Sequence, residues 1–156
     1  LRSIVDAVAA DTHLWIDLKG FTPRLSRRVL RELDGRRPVT MSSRQWWILR
    51  PATGRPGVRT MRSIGSRWQL RIALRTRSRA TRFGHVMHHR FTSAESVSAL
   101  TSRNADLVVW GITDLATASR VVEFGVTGII ADDLALIAQI RAEFETSRGP
   151  EVPPTP

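Results

Sequence analysis

Residues 106–112 read Asp-Leu-Val-Val-Trp-Gly-Ile, and residues 124–133 read Phe-Gly-Val-Thr-Gly-Ile-Ile-Ala-Asp-Asp. Each holds a short apolar run rich in β-branched side chains, the signature of a strand buried on both faces. Between them Asp114 is a good helix N-cap and Gly125 a good residue to follow a helix C-terminus, so a helix is expected over 114–124. Strand, helix, strand in so short a span makes a parallel pair, because parallel strands need a crossover connection.

The same alternation extends outward along the chain. Further strands are expected at 14–19, 38–42, 58–63 and 84–89, with 106–112 and 127–131 completing a set of six. Residues 23–33 place Leu25, Val29 and Leu33 at four-residue steps, with Arg24, Arg27, Arg28 and Arg31 on the wet side. Residues 93–103 open on Thr92-Ser93-Ala94-Glu95, a capping-box spacing. Residues 133–147 put Leu134, Ile137, Ile140 and Phe144 on one side, and a helix over residues 1–10 leads the chain. A parallel sheet covered by helices is either doubly wound or a β/α barrel. No Gly-rich phosphate fingerprint follows any strand, which weakens the dinucleotide-binding version of an open sheet. A TIM-type (β/α)8 barrel has eight strands, so six units read as an incomplete barrel with strands three to eight present and the first two missing. The chain starts at Leu1 with no basic-then-apolar opening, and the expectation is that its N-terminus is absent and its location cytoplasmic. The barrel portion is expected over 1–147. A disordered Pro-rich tail is expected over 148–156.

Composition narrows the chemistry. With 42% apolar residues among 156, the chain can build a core, and without cysteine it has no disulfide, thiolate metal site or cysteine nucleophile. No apolar run approaches the roughly 20 residues of a membrane span. The net charge is +10, and residues 35–94 hold 14 arginines with no acidic residue. Such a field attracts polyanions, acidic lipid surfaces or phosphorylated ligands.

Residues 13–20 read His-Leu-Trp-Ile-Asp-Leu-Lys-Gly. On a strand Leu14, Ile16 and Leu18 share one face while Trp15, Asp17 and Lys19 share the other. In a barrel the aliphatic set packs under the helices and the polar set points inward, where charges are tolerated at the C-terminal mouth. Two readings stand open: a plain Asp17–Lys19 pair at a strand end, or a metal-binding carboxylate beside a phosphate-binding ammonium. Lys19 is the only lysine in the chain.

This stretch resembles the Ile-Glu-Leu-Lys strand of the glycerophosphodiester phosphodiesterases, β/α barrels of the phospholipase-C-like type. Residues 107–114 are similar to the family's Val-Trp-Thr-Val-Asn strand and turn, and residues 124–133 to its closing Gly-Val-Asp-Gly-Ile-Ile-Thr-Asp strand. Val39-Thr40-Met41-Ser42-Ser43 resembles its Ser-Phe strand, and His88-His89-Arg90 a stretch found in some members. The likeness runs from Leu14 to about Ile140. It implies cleavage of glycerophosphodiesters, phospholipid-derived small molecules, to an alcohol and glycerol 3-phosphate with a divalent metal, magnesium or calcium. It further implies that Asp17 is one metal ligand, that Lys19 contacts phosphate, and that Trp110 lines the substrate pocket. The family's catalytic histidines lie in a His-Arg-Gly motif and a His-Asp loop, and its other metal carboxylates in a Glu-x-Asp strand. None of these occurs here, and His13, His85, His88 and His89 match neither catalytic position. No catalytic residue is therefore expected in this chain, which by itself is expected to be inactive.

Three other patterns complete the reading. His85 and His89 share a strand face, but no carboxylate accompanies them, so a transition-metal site is not expected. Arg67, Arg71, Arg75 and Arg79 form a ladder at helical spacing, with Trp46, Trp47 and Trp68 nearby in sequence. The alternative function is therefore a basic, non-catalytic nucleic-acid-binding module using 35–94, although Ile48, Leu49, Leu70 and Leu74 suggest these tryptophans are core. A membrane-surface role for the ladder is a third possibility. The serines Ser42, Ser43, Ser63 and Ser66 lack a Gly-x-Ser-x-Gly elbow and read as turn or cap residues.

Overall fold

The computed structural model describes residues 2–9, 11–33, 35, 38–76, 83–102 and 105–147, so the expected tail over 148–156 lies outside the described residues. Six strands form in the segments expected: β1 (Leu14–Asp17), β2 (Val39–Ser43), β3 (Val58–Ile64), β4 (Gly84–His88), β5 (Leu107–Ile112) and β6 (Gly128–Ala131). They pair in chain order and every pair is parallel. All five residues of β2 are buried, whereas neither β1 nor β6 contains a fully buried residue. Among the described residues β1 pairs only with β2 and β6 only with β5, leaving the sheet two edges.

The helices are α1 (Arg2–Ala7), α2 (Pro23–Leu33), α3 (Arg67–Thr76), α4 (Ala94–Thr101), α5 (Leu115–Glu123) and α6 (Leu134–Ser147). No helix of the described residues is long and apolar enough to cross a membrane. The return from β2 to β3 breaks the pattern, using one 3-10 turn, Trp46–Leu49, instead of an α-helix. Pro51 and Pro56 oppose a helix there, and Gly54 and Gly57 take positive φ values of 77° and 71° to turn the chain.

Alternate strand residues serve two different sides. Leu18, Val39 and Met41 pack with Val29 and Leu33 of α2 and with Ile48 and Leu49 of the 3-10 turn. Ile64, Met87 and Leu107 meet Ala73 of α3 and Val97 and Leu100 of α4. Val109 and Ile112 meet Ala118 and Val121 of α5 and Leu136 of α6. The opposite face is concave. In a flat sheet β1 and β6 would stand about 24 Å apart at the usual strand spacing. Yet Trp15 and Asp17 of β1 and Ile130 of β6 line one cavity of about 440 Å³. The sheet therefore curls into a half-barrel.

Three expectations require correction. The N-cap of α4 is Ser93, and its reciprocal partner is Ser96 rather than Glu95; Thr92 instead closes the preceding 3-10 turn, His89–Phe91. Leu134 does not join the packed side of α6, being 81% exposed while Leu136 is buried in its place. Trp47 and Trp68 are not core residues, with 48% and 64% of their surface exposed; only Trp46 packs inward, donating its Nε1–H to the Ser63 carbonyl at 2.9 Å.

Candidate functional site

The concave face gathers at its C-terminal end. Strand register pairs Asp17 with Ser42, Ser63 with Val86, and His88 with Trp110 and so with Ile130. Paired residues of parallel strands point the same way, so each strand contributes to one wall. The cavity is lined by Trp15, Asp17 and Lys19 after and along β1, Ser42 and Arg44 of β2 and its loop, Ser63, Val86, Trp110 and Ile130. The alternation read in residues 13–20 thus places Asp17 and Lys19 on the cavity side and the aliphatic set under the helices.

One wall is a chain of polar contacts. Trp15 Nε1–H donates to Ser42 Oγ at 3.1 Å, and Ser42 Oγ–H donates to Asp17 Oδ1 at 3.0 Å. The other carboxylate oxygen, Asp17 Oδ2, forms an ion pair with Lys19 Nζ. The Lys19 side chain is 77% exposed, and ion pairs this wet contribute about 0–1 kcal/mol. The pair matters for where it holds the ammonium rather than for stability. Arg44 stands two residues past Ser42, as Lys19 stands two past Asp17, so register brings a second cation to the same mouth. Two cations thus face one carboxylate there.

The facing wall is aromatic. His88 lies edge-on to Trp110 with ring centroids 4.4 Å apart, and its ring is 4.6 Å from that of His89. The Arg44 guanidinium carbon lies 5.4 Å from the Trp110 ring centroid, a cation–π distance. Gly111 has a φ of 79°, and a Cβ there would stand 3.1 Å from His88 Cε1 and Nε2, so only glycine lets the ring settle. Burial, then the charges of Arg90, His89 and Arg44, hold the His88 imidazole below its ordinary pKa. Trp110 Nε1 is buried with no hydrogen-bond partner among the described residues.

The remaining histidines go elsewhere. His85 points into the helix layer, where burial and then Arg62 push its pKa down to about 4. Arg62 is itself held over the Phe83 and Trp46 rings at 4.2 and 5.2 Å. His13 Nε2 meets Thr40 Oγ1 at 2.8 Å near the start of β2, away from the mouth. Arg67, Arg71 and Arg75 of the ladder are exposed along α3, and Arg79 lies outside the described residues. Of the four serines expected in turns or caps only Ser66 is one, accepting from Gln69 N–H at the start of α3. Ser42 and Ser63 are strand residues lining the cavity, and Ser43 Oγ–H of β2 donates to the Leu18 carbonyl.

No cluster of three or more His, Asp or Glu side chains forms among the described residues. A hard divalent cation takes about six oxygen ligands, and Asp17 is already shared between Lys19 and Ser42. The described residues alone therefore do not fit such an ion. Sequence reasoning found Asp17, Lys19 and Trp110 but missed Arg44. Its only signal is a position just past a strand, at the same offset as Lys19.

No protein-family model matches the sequence, and no curated protein matches it. Solved structures do. A protein from Silicibacter pomeroyi assigned as a glycerophosphoryl diester phosphodiesterase superposes with a TM-score of 0.72 at 17% identity, over 93% of this chain and 56% of that one. The glycerophosphodiester phosphodiesterase of Thermotoga maritima gives a TM-score of 0.70 at 19% identity, over 90% of this chain and 63% of that one. At such identities the likeness establishes the fold: this chain has the fold of part of a glycerophosphodiester phosphodiesterase barrel and spans less than two thirds of the length of either structure.

Proposed function

We propose that this chain is the phosphodiester-recognising part of a glycerophosphodiester phosphodiesterase-type barrel, its six strands corresponding to the third through eighth. The full-length protein would hydrolyse glycerophosphodiesters to an alcohol and glycerol 3-phosphate with a divalent metal. This chain alone is inactive. The observation that carries the reading is the convergence of Lys19, Arg44 and Trp110 on one cavity at the C-terminal ends of the strands, where active sites of β/α barrels lie.

In this reading Lys19 and Arg44 donate to the phosphate oxygens, with Asp17 and Ser42 fixing the ammonium's position. Trp15 and Trp110 offer apolar surface to the glycerol or alcohol part. Metal ligation by Asp17 requires further carboxylates from outside the described residues.

Titration calorimetry with glycerol 3-phosphate tests the recognition. Lys19→Met and Arg44→Met should each weaken binding about tenfold, since a charge-assisted hydrogen bond is worth about 1.5–3 kcal/mol. Unchanged affinity in both variants would remove the proposal. Release of glycerol 3-phosphate by the purified 156-residue chain with added magnesium or calcium would overturn the inactivity. The intact mass of the protein in its source cells tests whether it is longer than this chain.

A further inference from the structure

Five large hydrophobic side chains are exposed among the described residues: Trp15, Phe21, Trp47, Trp68 and Leu134. Trp15 belongs to the cavity. Phe21, Trp47 and Trp68 each stand four residues past the end of β1, β2 and β3. All strands run the same way, so these three loops emerge on one side of the sheet, the side that bears the cavity mouth. The loops are tied together. Trp47 Nε1–H donates to the Phe21 carbonyl at 3.1 Å, and Gln69 Nε2–H, beside Trp68, donates to the Arg44 carbonyl at 3.0 Å.

Aromatic side chains left 78%, 48% and 64% exposed keep about half or more of their surface in water, and clustered exposure of that kind marks an interaction surface. The charges around it are mostly positive. Arg44 is exposed just after β2 and Arg67 and Arg71 on the first turns of α3, and Lys19 precedes Phe21 by two residues. Of the acidic residues at this end, Asp17 is held by Lys19, while Asp114, Asp132 and Asp133 follow β5 and β6. Leu134 sits among these acids and is not part of the patch.

We propose that the segments after β1 and β2 and the start of α3 form a docking surface for a bilayer containing anionic phospholipid. Indole and phenyl rings enter the headgroup region while the guanidinium and ammonium groups meet lipid phosphates. Aromatics placed just past the ends of three neighbouring strands suit a surface. A single-stranded nucleic acid calls for rings spaced along a cationic groove that tracks the backbone. Docking in this way faces the cavity mouth toward the lipid headgroups.

Flotation of the 156-residue chain with vesicles tests this without a phosphate ligand or turnover, so its outcome is independent of the reading of the cavity. Binding is expected to vesicles of phosphatidylcholine with phosphatidylglycerol, and weakly or not at all to phosphatidylcholine alone. Trp68→Ala should lower the partition coefficient about tenfold, as expected for one large side chain returned to water. Phe21→Ser should do the same, and Arg67→Glu with Arg71→Glu should reduce binding to the anionic vesicles alone. Circular dichroism of each variant should match the parent, because the altered side chains are exposed. No binding to anionic vesicles, or binding unchanged in Trp68→Ala and Phe21→Ser, overturns the proposal. Salt-sensitive retardation of single-stranded DNA that Trp68→Ala abolishes, with no vesicle binding, assigns the surface to nucleic acid and also overturns it.

Discussion

Ser42 and Asp17 sit opposite one another on neighbouring strands, and the serine hydroxyl donates to the carboxylate at 3.0 Å while accepting the Trp15 indole N–H at 3.1 Å. The hydroxyl is thus the link between an aromatic wall residue and the carboxylate that holds Lys19. Removing it leaves an indole donor without its acceptor and one carboxylate oxygen without its donor. Ser42→Ala should cost about 1 kcal/mol of stability, the usual net worth of such a bond. It should also weaken glycerol 3-phosphate binding several-fold through Lys19. A denaturant melt and a calorimetric titration read the two effects separately.

His85 makes stability depend on pH. Its folded-state pKa of about 4 lies below the ordinary 6.5, so the unfolded chain binds the proton more readily. Stability is then fully present above about pH 6.5 and falls as the pH drops toward 4. The shift corresponds to about 3 kcal/mol. His85→Leu should flatten this part of the profile, because it also removes a buried ring nitrogen with no partner among the described residues. Urea midpoints measured between pH 4 and 7 in parent and variant check it; parallel profiles would contradict it.

Gly111 and Gly125 separate backbone strain from crowding. Both have positive φ, 79° and 88°, so an alanine at either costs about 1–2 kcal/mol in that backbone region. Nothing lies within 4 Å of a Cβ at Gly125, whereas at Gly111 it meets the His88 ring at 3.1 Å. Gly111→Ala should therefore destabilise the protein more than Gly125→Ala, and it alone should displace His88 from Trp110. Thermal melts give the first comparison, and the His88 imidazole resonances give the second.

Among the described residues β1 and β6 have no strand on their outer sides, and such open edges template association with other strands. The 156-residue chain in isolation should self-associate in a concentration-dependent way and melt over a broad range. Sedimentation velocity and calorimetry test both. A monomer with a sharp cooperative transition would contradict the expectation.

The strands were legible because short extended segments alternate with helical patterns along the chain, and 106–112 and 58–63 fall within a residue or so of β5 and β3. The faces of β1 were legible because alternation is local. Arg44 was not, since its place beside Lys19 depends on the register between β1 and β2, which no local pattern records. Trp47 and Trp68 misled for a related reason. Ile48 and Leu49 are buried in the same short turn that exposes Trp47, and Ala73 is buried on the helix that exposes Trp68. One turn of helix is enough to separate wet from dry neighbours. The shift of the α4 cap from Thr92 to Ser93 has a similar origin, because Thr92 is taken up by the preceding 3-10 turn.

Each strand lends the cavity one or two side chains, while the residues between them pack under the helices. Ligand preference and folding therefore draw on separate positions of the same strands. An exchange at Trp15, Ser63, Val86 or Ile130 alters what the mouth admits and leaves the three helix-side clusters as they were. A lineage built on this sheet can change what it holds one strand at a time, without refounding the architecture that holds it.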